Sequence, residues 1–145
     1  MNILVLGSGA REHSICWAVK KSKACKKLFC SPGNAGIEKV AECKFINLKK
    51  KLHILNFCKK NSVDLVIVGP EKPLVNGIVD CLENNNIKVF GPRKIPSQLE
   101  GSKTFTKNIC KKYNIPTANF GIFENKENSL DFLKNSKFPI VIKAD

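Results

Sequence analysis

The stretch Asn2-Ile3-Leu4-Val5-Leu6-Gly7-Ser8-Gly9-Ala10-Arg11-Glu12-His13 decides the fold. Four consecutive aliphatic residues suit a strand buried on both faces, the usual state of a strand in a parallel sheet. Gly7-Ser8-Gly9 follows at once, and its small residues allow a tight turn whose backbone can approach a ligand closely. Helical spacing of Ile15, Ala18 and Val19 begins directly afterwards. A helix starting there leaves unpaired amides at its N-terminus, facing whatever sits over the end of the strand. The helix dipole adds only about 0.3 to 1 kcal/mol for a nearby anion, so the amide hydrogen bonds matter more. The unit is read as a seat for a phosphorylated small molecule, with Arg11 able to add a charge-assisted contact. A tight turn without a ligand is the other reading.

Working outward, the same alternation recurs. Strands are expected at Ile3 to Leu6, Leu28 to Cys30, Leu65 to Val68, and Val89 to Phe90 with Ile87 leading in. Helical stripes lie between them: Leu48, Leu52 and Leu55, then Leu74, Ile78 and Leu82. This is the βαβ pattern, and it predicts an α/β fold with an open parallel sheet and helices on both faces. A dinucleotide-binding fingerprint requires a third small residue where Glu12 stands, and an acid after the second strand to hold a ribose. That strand ends instead in Cys30-Ser31-Pro32, so NAD is disfavoured.

Two further loops, Pro32-Gly33-Asn34-Ala35-Gly36 and Gly69-Pro70-Glu71-Lys72-Pro73-Leu74, also follow strands. In open α/β sheets the ligand crevice lies at that end, so three glycine-containing loops converge where a substrate would sit. Glu71 either accepts hydrogen bonds from sugar hydroxyls or an amine, or is a helix N-terminal acid stabilised by the dipole. A fourth loop, Phe90-Gly91-Pro92-Arg93, repeats the pattern and favours the functional reading. His13, on the first turn of the first helix, is placed either to touch substrate or to serve as a hydrogen-bonded structural residue. His53 has no partner in view and receives no role.

A chain of 145 residues is long enough for one well-packed core. No run of about 18 apolar residues occurs and no leader precedes Ile3, so a soluble protein without a membrane partner is expected. Seven cysteines without a Cys-x-x-Cys pair fit a reducing cytoplasm and give no metal site. The net charge of +13 arises from 25 basic and 12 acidic residues and raises the question of a nucleic-acid-binding module. Only two of the basic residues are arginine, and tyrosine and tryptophan occur once each. Forked arginines and stacking aromatics, the usual tools for reading nucleic acid, are therefore scarce, and no nucleic acid partner is expected.

Ser102 is a good N-cap for a helix burying Phe105, Ile109 and Tyr113. From Asn114-Ile115-Pro116-Thr117 the rhythm changes, with a strand expected near Phe120 to Phe123, a helix around Ser129 to Leu133 and a strand from Ile140 to Lys143. Residues 1–101 are thus read as one α/β domain and 102–145 as a linker helix and the start of a second. A chain that stops straight after a strand is expected to be a piece of a longer protein.

Taken in order, these motifs resemble glycinamide ribonucleotide synthetase, also called phosphoribosylamine-glycine ligase. The resemblance runs from Gly7-Ser8-Gly9-Ala10-Arg11-Glu12-His13 through Pro32-Gly33-Asn34-Ala35-Gly36, Asp64 to Gly69-Pro70-Glu71 with Pro73-Leu74 and Gly77, and Phe90-Gly91-Pro92. It continues through Leu99-Glu100-Gly101-Ser102-Lys103 with Phe105 and Lys107, Ile115-Pro116-Thr117-Ala118, and Pro139-Ile140-Val141-Ile142-Lys143-Ala144-Asp145. Ala10, Ser14 and Gly101 depart from the family's usual residues, the first two keeping a small side chain. The resemblance implies a Rossmann-like domain ahead of an ATP-grasp fold. It also implies an ATP-dependent ligase of de novo purine synthesis that joins glycine to 5-phosphoribosylamine. The substrate side would comprise Gly7, Ser8, Gly9, Arg11, Glu12, His13, Pro32, Gly33, Asn34, Gly36, Gly69, Pro70 and Glu71. Lys103 and Lys143 match lysines that reach the ATP phosphates. Mg2+, with Mn2+ as an alternative, would be held mostly by residues beyond Asp145. On this reading the 145 residues carry no catalytic residue and are inactive alone, and the full-length enzyme is expected to be a monomer. Another ATP-grasp ligase or carboxylase of the purine pathway is the nearest alternative.

Overall fold

The computed structural model describes residues 1–144 and divides into two compact units, Met1–Ser97 and Gln98–Asp145. The first is built on five parallel strands: β1 (Asn2–Gly7), β2 (Lys27–Pro32), β3 (Glu42–Cys43), β4 (Leu65–Val68) and β5 (Lys88–Phe90). Their order in the sheet is β3-β2-β1-β4-β5. Ile3 pairs with Leu28 on one side and Leu65 on the other, and β1 is central because Leu4, Val5 and Leu6 have no exposed surface. The chain runs outward from β1 through β2 to β3, then returns to the other side of β1 with β4. That reversal leaves a crevice beyond the carboxyl ends of β1 and β4.

Successive side chains of a strand point to opposite faces, and the two cores follow that alternation. Leu4, Leu6, Phe29, Val66 and Val68 meet Ile54, Leu55 and Cys58 of α2 (Lys51–Lys60) and Leu74, Ile78 and Leu82 of α3 (Glu71–Val75) and α4 (Ile78–Glu83). On the other face Ile3, Val5, Leu28 and Cys30 meet Cys16 of α1 (Ala10–Lys20) and Ile37, which opens a single turn of 3-10 helix at Ile37–Lys39. Burying one such aliphatic side chain contributes roughly 1.5 to 3 kcal/mol, so the two clusters supply most of the driving force.

Several expected details differ. Ile15 and Val19 pack inward as expected, but Ala18 is exposed, and Glu12 and Cys16 complete the inward face of α1. Leu48 precedes α2, Leu52 is exposed, and the buried stripe is Ile54, Leu55 and Cys58. The stripe Leu74, Ile78, Leu82 belongs to two short helices, because Gly77 at φ 78° breaks the hydrogen-bond ladder between them. Phe90 is exposed because β5 is an edge strand. The two-residue β3 and helix α5 (Lys94–Gly101) were not anticipated.

In the second unit, Ser102 caps α6 (Lys103–Lys112), its hydroxyl accepting from the Phe105 amide at 3.0 Å. The expected apolar face is only partly covered, with no residue of α6 buried and Tyr113 exposed. Helix α7 spans Lys126–Lys134 with Asn125 as its N-cap. Neither expected strand forms: residues 120–123 and 140–143 lie outside any strand. A strand exists by virtue of its ladder, and among the described residues no segment pairs with either. Asp145, the end of the last motif, lies outside the described residues.

All seven cysteines are free thiols, and Cys16, Cys30 and Cys58 are buried. Burial pushes the Cys58 thiol up to about 12 from 9.0. In the unfolded chain this thiol ionises near its ordinary value, whereas the folded chain retains the proton. Its contribution to stability is therefore complete below about pH 9 and is lost as the pH rises toward 12. Denaturant unfolding at about pH 8 and about pH 10.5 is expected to show a larger alkaline loss of stability in the unsubstituted chain than in Cys58→Ala. Equal losses would show that Cys58 does not contribute.

Candidate functional site

Three loops at the carboxyl ends of β1, β2 and β4 meet at the crevice. Gly7 closes β1 at φ 130°, a conformation that side chains rarely adopt, and its carbonyl accepts from the Gly33 amide at 3.1 Å. Gly33, directly after Pro32, has φ 77° and packs against Cys43. Ser8 and Gly9 are exposed at the mouth of the first loop.

Asn34 ties the first two loops together. Its side-chain amide donates to the Ser8 carbonyl at 2.8 Å, while its Oδ1 accepts from the amides of Gly36 and Ile37, each at 2.9 Å. Gly36 leaves room for His13, since a Cβ there would lie 2.7 Å from the imidazole Cε1. The third loop is held by the Gly69 amide, which donates to the Leu6 carbonyl at 3.0 Å. Pro70 is the N-cap of α3 and Glu71 its first residue.

Glu12 joins the first and third loops. It is only 5% exposed, and its Oε2 accepts from the Gly9 amide at 2.6 Å. A Cβ on Gly7 would lie 2.5 Å from Glu12 Cγ, one on Gly9 would lie 3.0 Å from Oε2, and one on Gly69 would collide with Oε1. Three glycines therefore make the space that this one side chain fills. Arg11 lies outside it, 3.7 Å from both Glu12 Oε1 and Glu71 Oε1. The guanidinium is well exposed and both separations are long, so these pairs orient side chains and add little stability.

All thirteen substrate-side candidates thus lie around one end of one sheet, and the structure gives several of them internal work. The Gly9 amide, expected to face an anion, faces Glu12. The sequence did carry a signal for this, because an acid three residues after a helix N-cap often returns to the cap amide. The fourth loop is used for packing: Gly91 leaves room for Leu74, and Arg93 pairs with Glu83 at 2.7 Å. Beneath the second loop the Cys16 and Cys30 thiols interact: a hydrogen bond from Cys30 lowers the Cys16 thiol against the upward push of burial, while the same contact together with burial raises the Cys30 thiol.

In the second unit the Lys103 ammonium donates to the Ala144 carbonyl at 3.0 Å, so two segments 41 residues apart, one carrying Lys103 and the other Lys143, meet. Lys107 donates to Thr117 Oγ1 at 2.6 Å and to the Ala118 carbonyl at 3.3 Å. Among the described residues no group of three or more histidine, cysteine, aspartate or glutamate side chains is placed to hold a metal ion. No described helix is long and apolar enough to cross a membrane.

Residues 1–100 match the family described as phosphoribosylglycinamide synthetase, N domain, and residues 101–145 match phosphoribosylglycinamide synthetase, ATP-grasp (A) domain. A curated phosphoribosylamine–glycine ligase of Clostridium acetobutylicum is 48% identical over all 145 residues, which cover 35% of its length. A crystal structure of phosphoribosylamine–glycine ligase from Thermotoga maritima superposes with a TM-score of 0.68 at 29% identity, over 94% of this chain and 31% of that one. N5-carboxyaminoimidazole ribonucleotide synthetase from Thermus thermophilus shares the fold, with a TM-score of 0.66 at 18% identity, over 94% of this chain and 37% of that one. The chain spans about a third of the length of the curated relatives it matches.

Proposed function

The chain belongs to the phosphoribosylglycinamide synthetase family, and from that membership we propose that it forms the phosphoribosylamine side of a ligase making glycinamide ribonucleotide. In that reaction a glycine carboxylate oxygen takes the terminal phosphoryl group of ATP and ADP leaves. The amine of 5-phosphoribosylamine then attacks the acyl carbon, loses a proton and expels phosphate. One observation carries the assignment of this chain to the amine substrate. Gly7–Gly9, Asn34–Gly36 and Gly69–Glu71 meet at the crevice beyond the sheet, and there the Glu71 carboxylate stands partly exposed beside Arg11. A carboxylate so placed accepts hydrogen bonds from ribose hydroxyls or from the amine, and Asn34 fixes the loop beside it.

Lys103 and Lys143 are proposed to reach the ATP phosphates, offsetting the charge that phosphoryl transfer concentrates. The meeting of their segments through Lys103 and Ala144 supports a shared role. When bound, Mg2+ would supply positive charge that offsets the charge of the triphosphate. The described residues offer it no ligand cluster. A reducing cytoplasm and a monomeric full-length enzyme complete the proposal, the first supported by seven unpaired thiols. Identity of 48% to a glycine ligase, against 18% to the carboxyaminoimidazole enzyme, favours this reading over another ATP-grasp ligase.

The test is a titration of the isotopically labelled chain with glycinamide ribonucleotide, followed by amide shifts. Shifts are expected at Ser8, Gly36 and Glu71. Shifts confined to the opposite ends of the strands, around Met1, Asp64 and Lys88, would overturn the assignment.

A further inference from the structure

A strand, a glycine turn and a helix normally present the first amides of the helix to a phosphoryl group. Here α1 is long enough to do so, yet its N-cap amide is already satisfied by a carboxylate of the same turn. That carboxylate is 5% exposed and is boxed in by Gly7, Gly9 and Gly69, each of which would clash with it or crowd it if given a Cβ. Loops from two strands have given up their side chains to make room for Glu12, so it is a fixed part of the crevice floor. The surrounding charge points the same way. Glu12 and Glu71 stand on either side of Arg11, two carboxylates to one guanidinium, and an incoming phosphate would face net negative charge at short range.

We propose that Glu12 is a specificity-determining residue that closes the N-terminus of α1 to phosphoryl and pyrophosphoryl groups, so that this end of the sheet receives the hydroxyl or amine end of a ligand. The inference deepens the proposed function, and rests on it only in naming the ligand. A sugar phosphate then lies with its ring toward Glu71 and its phosphate directed away from the Gly9 amide. Dinucleotides, which need their pyrophosphate on that amide, are rejected by the same carboxylate.

Inorganic pyrophosphate is the probe. In the unsubstituted chain, millimolar pyrophosphate is expected to leave the Gly9 amide resonance unmoved. In Glu12→Ala the amide is released and Arg11 is freed, so pyrophosphate affinity is expected to rise about tenfold or more with a shift centred on Gly9. Glu12→Gln keeps an acceptor over the amide and is expected to stay within a few-fold of the unsubstituted chain. Pyrophosphate moving the Gly9 amide of the unsubstituted chain would overturn the proposal, and so would a folded Glu12→Ala chain with no gain. The measurement on the unsubstituted chain stands even if Glu12→Ala does not fold. Failure of glycinamide ribonucleotide to bind would count against the proposed function while leaving the pyrophosphate result intact.

Discussion

Replacing Gly7 with alanine is expected to lower the stability of the Met1–Ser97 unit by about 3 kcal/mol. Two costs combine. A non-glycine residue held at φ 130° is strained by roughly 1 to 3 kcal/mol. The new methyl carbon would also lie 2.5 Å from Glu12 Cγ, and Glu12 has little room to yield because Gly69 and Gly9 enclose it. Crowding of this kind costs roughly another 1 to 3 kcal/mol. The thermal unfolding midpoint should fall by roughly 12 to 24 °C. The double variant Gly7→Ala with Glu12→Ala separates the two terms, since removing the Glu12 carboxylate relieves the clash and leaves the strain. A melting temperature within a degree or two of the unsubstituted chain would show that the loop relaxes freely, and the fixed floor of the crevice would be lost with it.

The second large effect concerns binding. Gly9 has φ −87° and ψ −177°, a conformation open to any residue, so Gly9→Val is expected to fold. Its branched side chain would press on Glu12 Oε2, already 3.0 Å from the position of a Cβ, and would stand over the mouth of the first loop. Loss of glycinamide ribonucleotide affinity by at least about tenfold is expected, with a native circular dichroism spectrum. Unchanged affinity would mean that the ligand sits elsewhere.

The sheet was legible because β1, β2 and β4 carry runs that are apolar on both faces and each is followed by a turn signal. The convergence of the loops was legible for the related reason that each follows a strand. Finer features depend on what a residue meets in space. The stripe Leu74, Ile78, Leu82 continues in register across Gly77, so periodicity alone does not show the break there. Ala18 and Leu52 are apolar but have nothing to pack against, and two residues of β3 are too few for a period. The expected strands around 120–123 and 140–143 have suitable composition, but composition does not supply a partner.

Within the site, residue types announced a ligand but not how they share the work. Glu12 was readable as a substrate contact or as a departure from the dinucleotide pattern. Its hydrogen bond to Gly9 is local and follows the capping spacing, whereas its fit against Gly69, 57 positions away in sequence, emerges only when β1 and β4 are paired. The same pairing sets Glu71 beside Arg11, which favours the reading of that acid as a hydrogen-bond acceptor at the crevice. Glu71 is the first residue of α3, but a five-residue helix offers little dipole, and its carboxylate is partly exposed beside Arg11.

The central claim is that the phosphoribosylamine side of the ligase resides in these residues. Calorimetric titration of the 145-residue chain with glycinamide ribonucleotide tests it most directly. Saturable binding is predicted, lost in Gly9→Val, with no turnover when glycine, phosphoribosylamine and ATP are supplied together. Heats indistinguishable from dilution in the folded, unsubstituted chain would contradict the account.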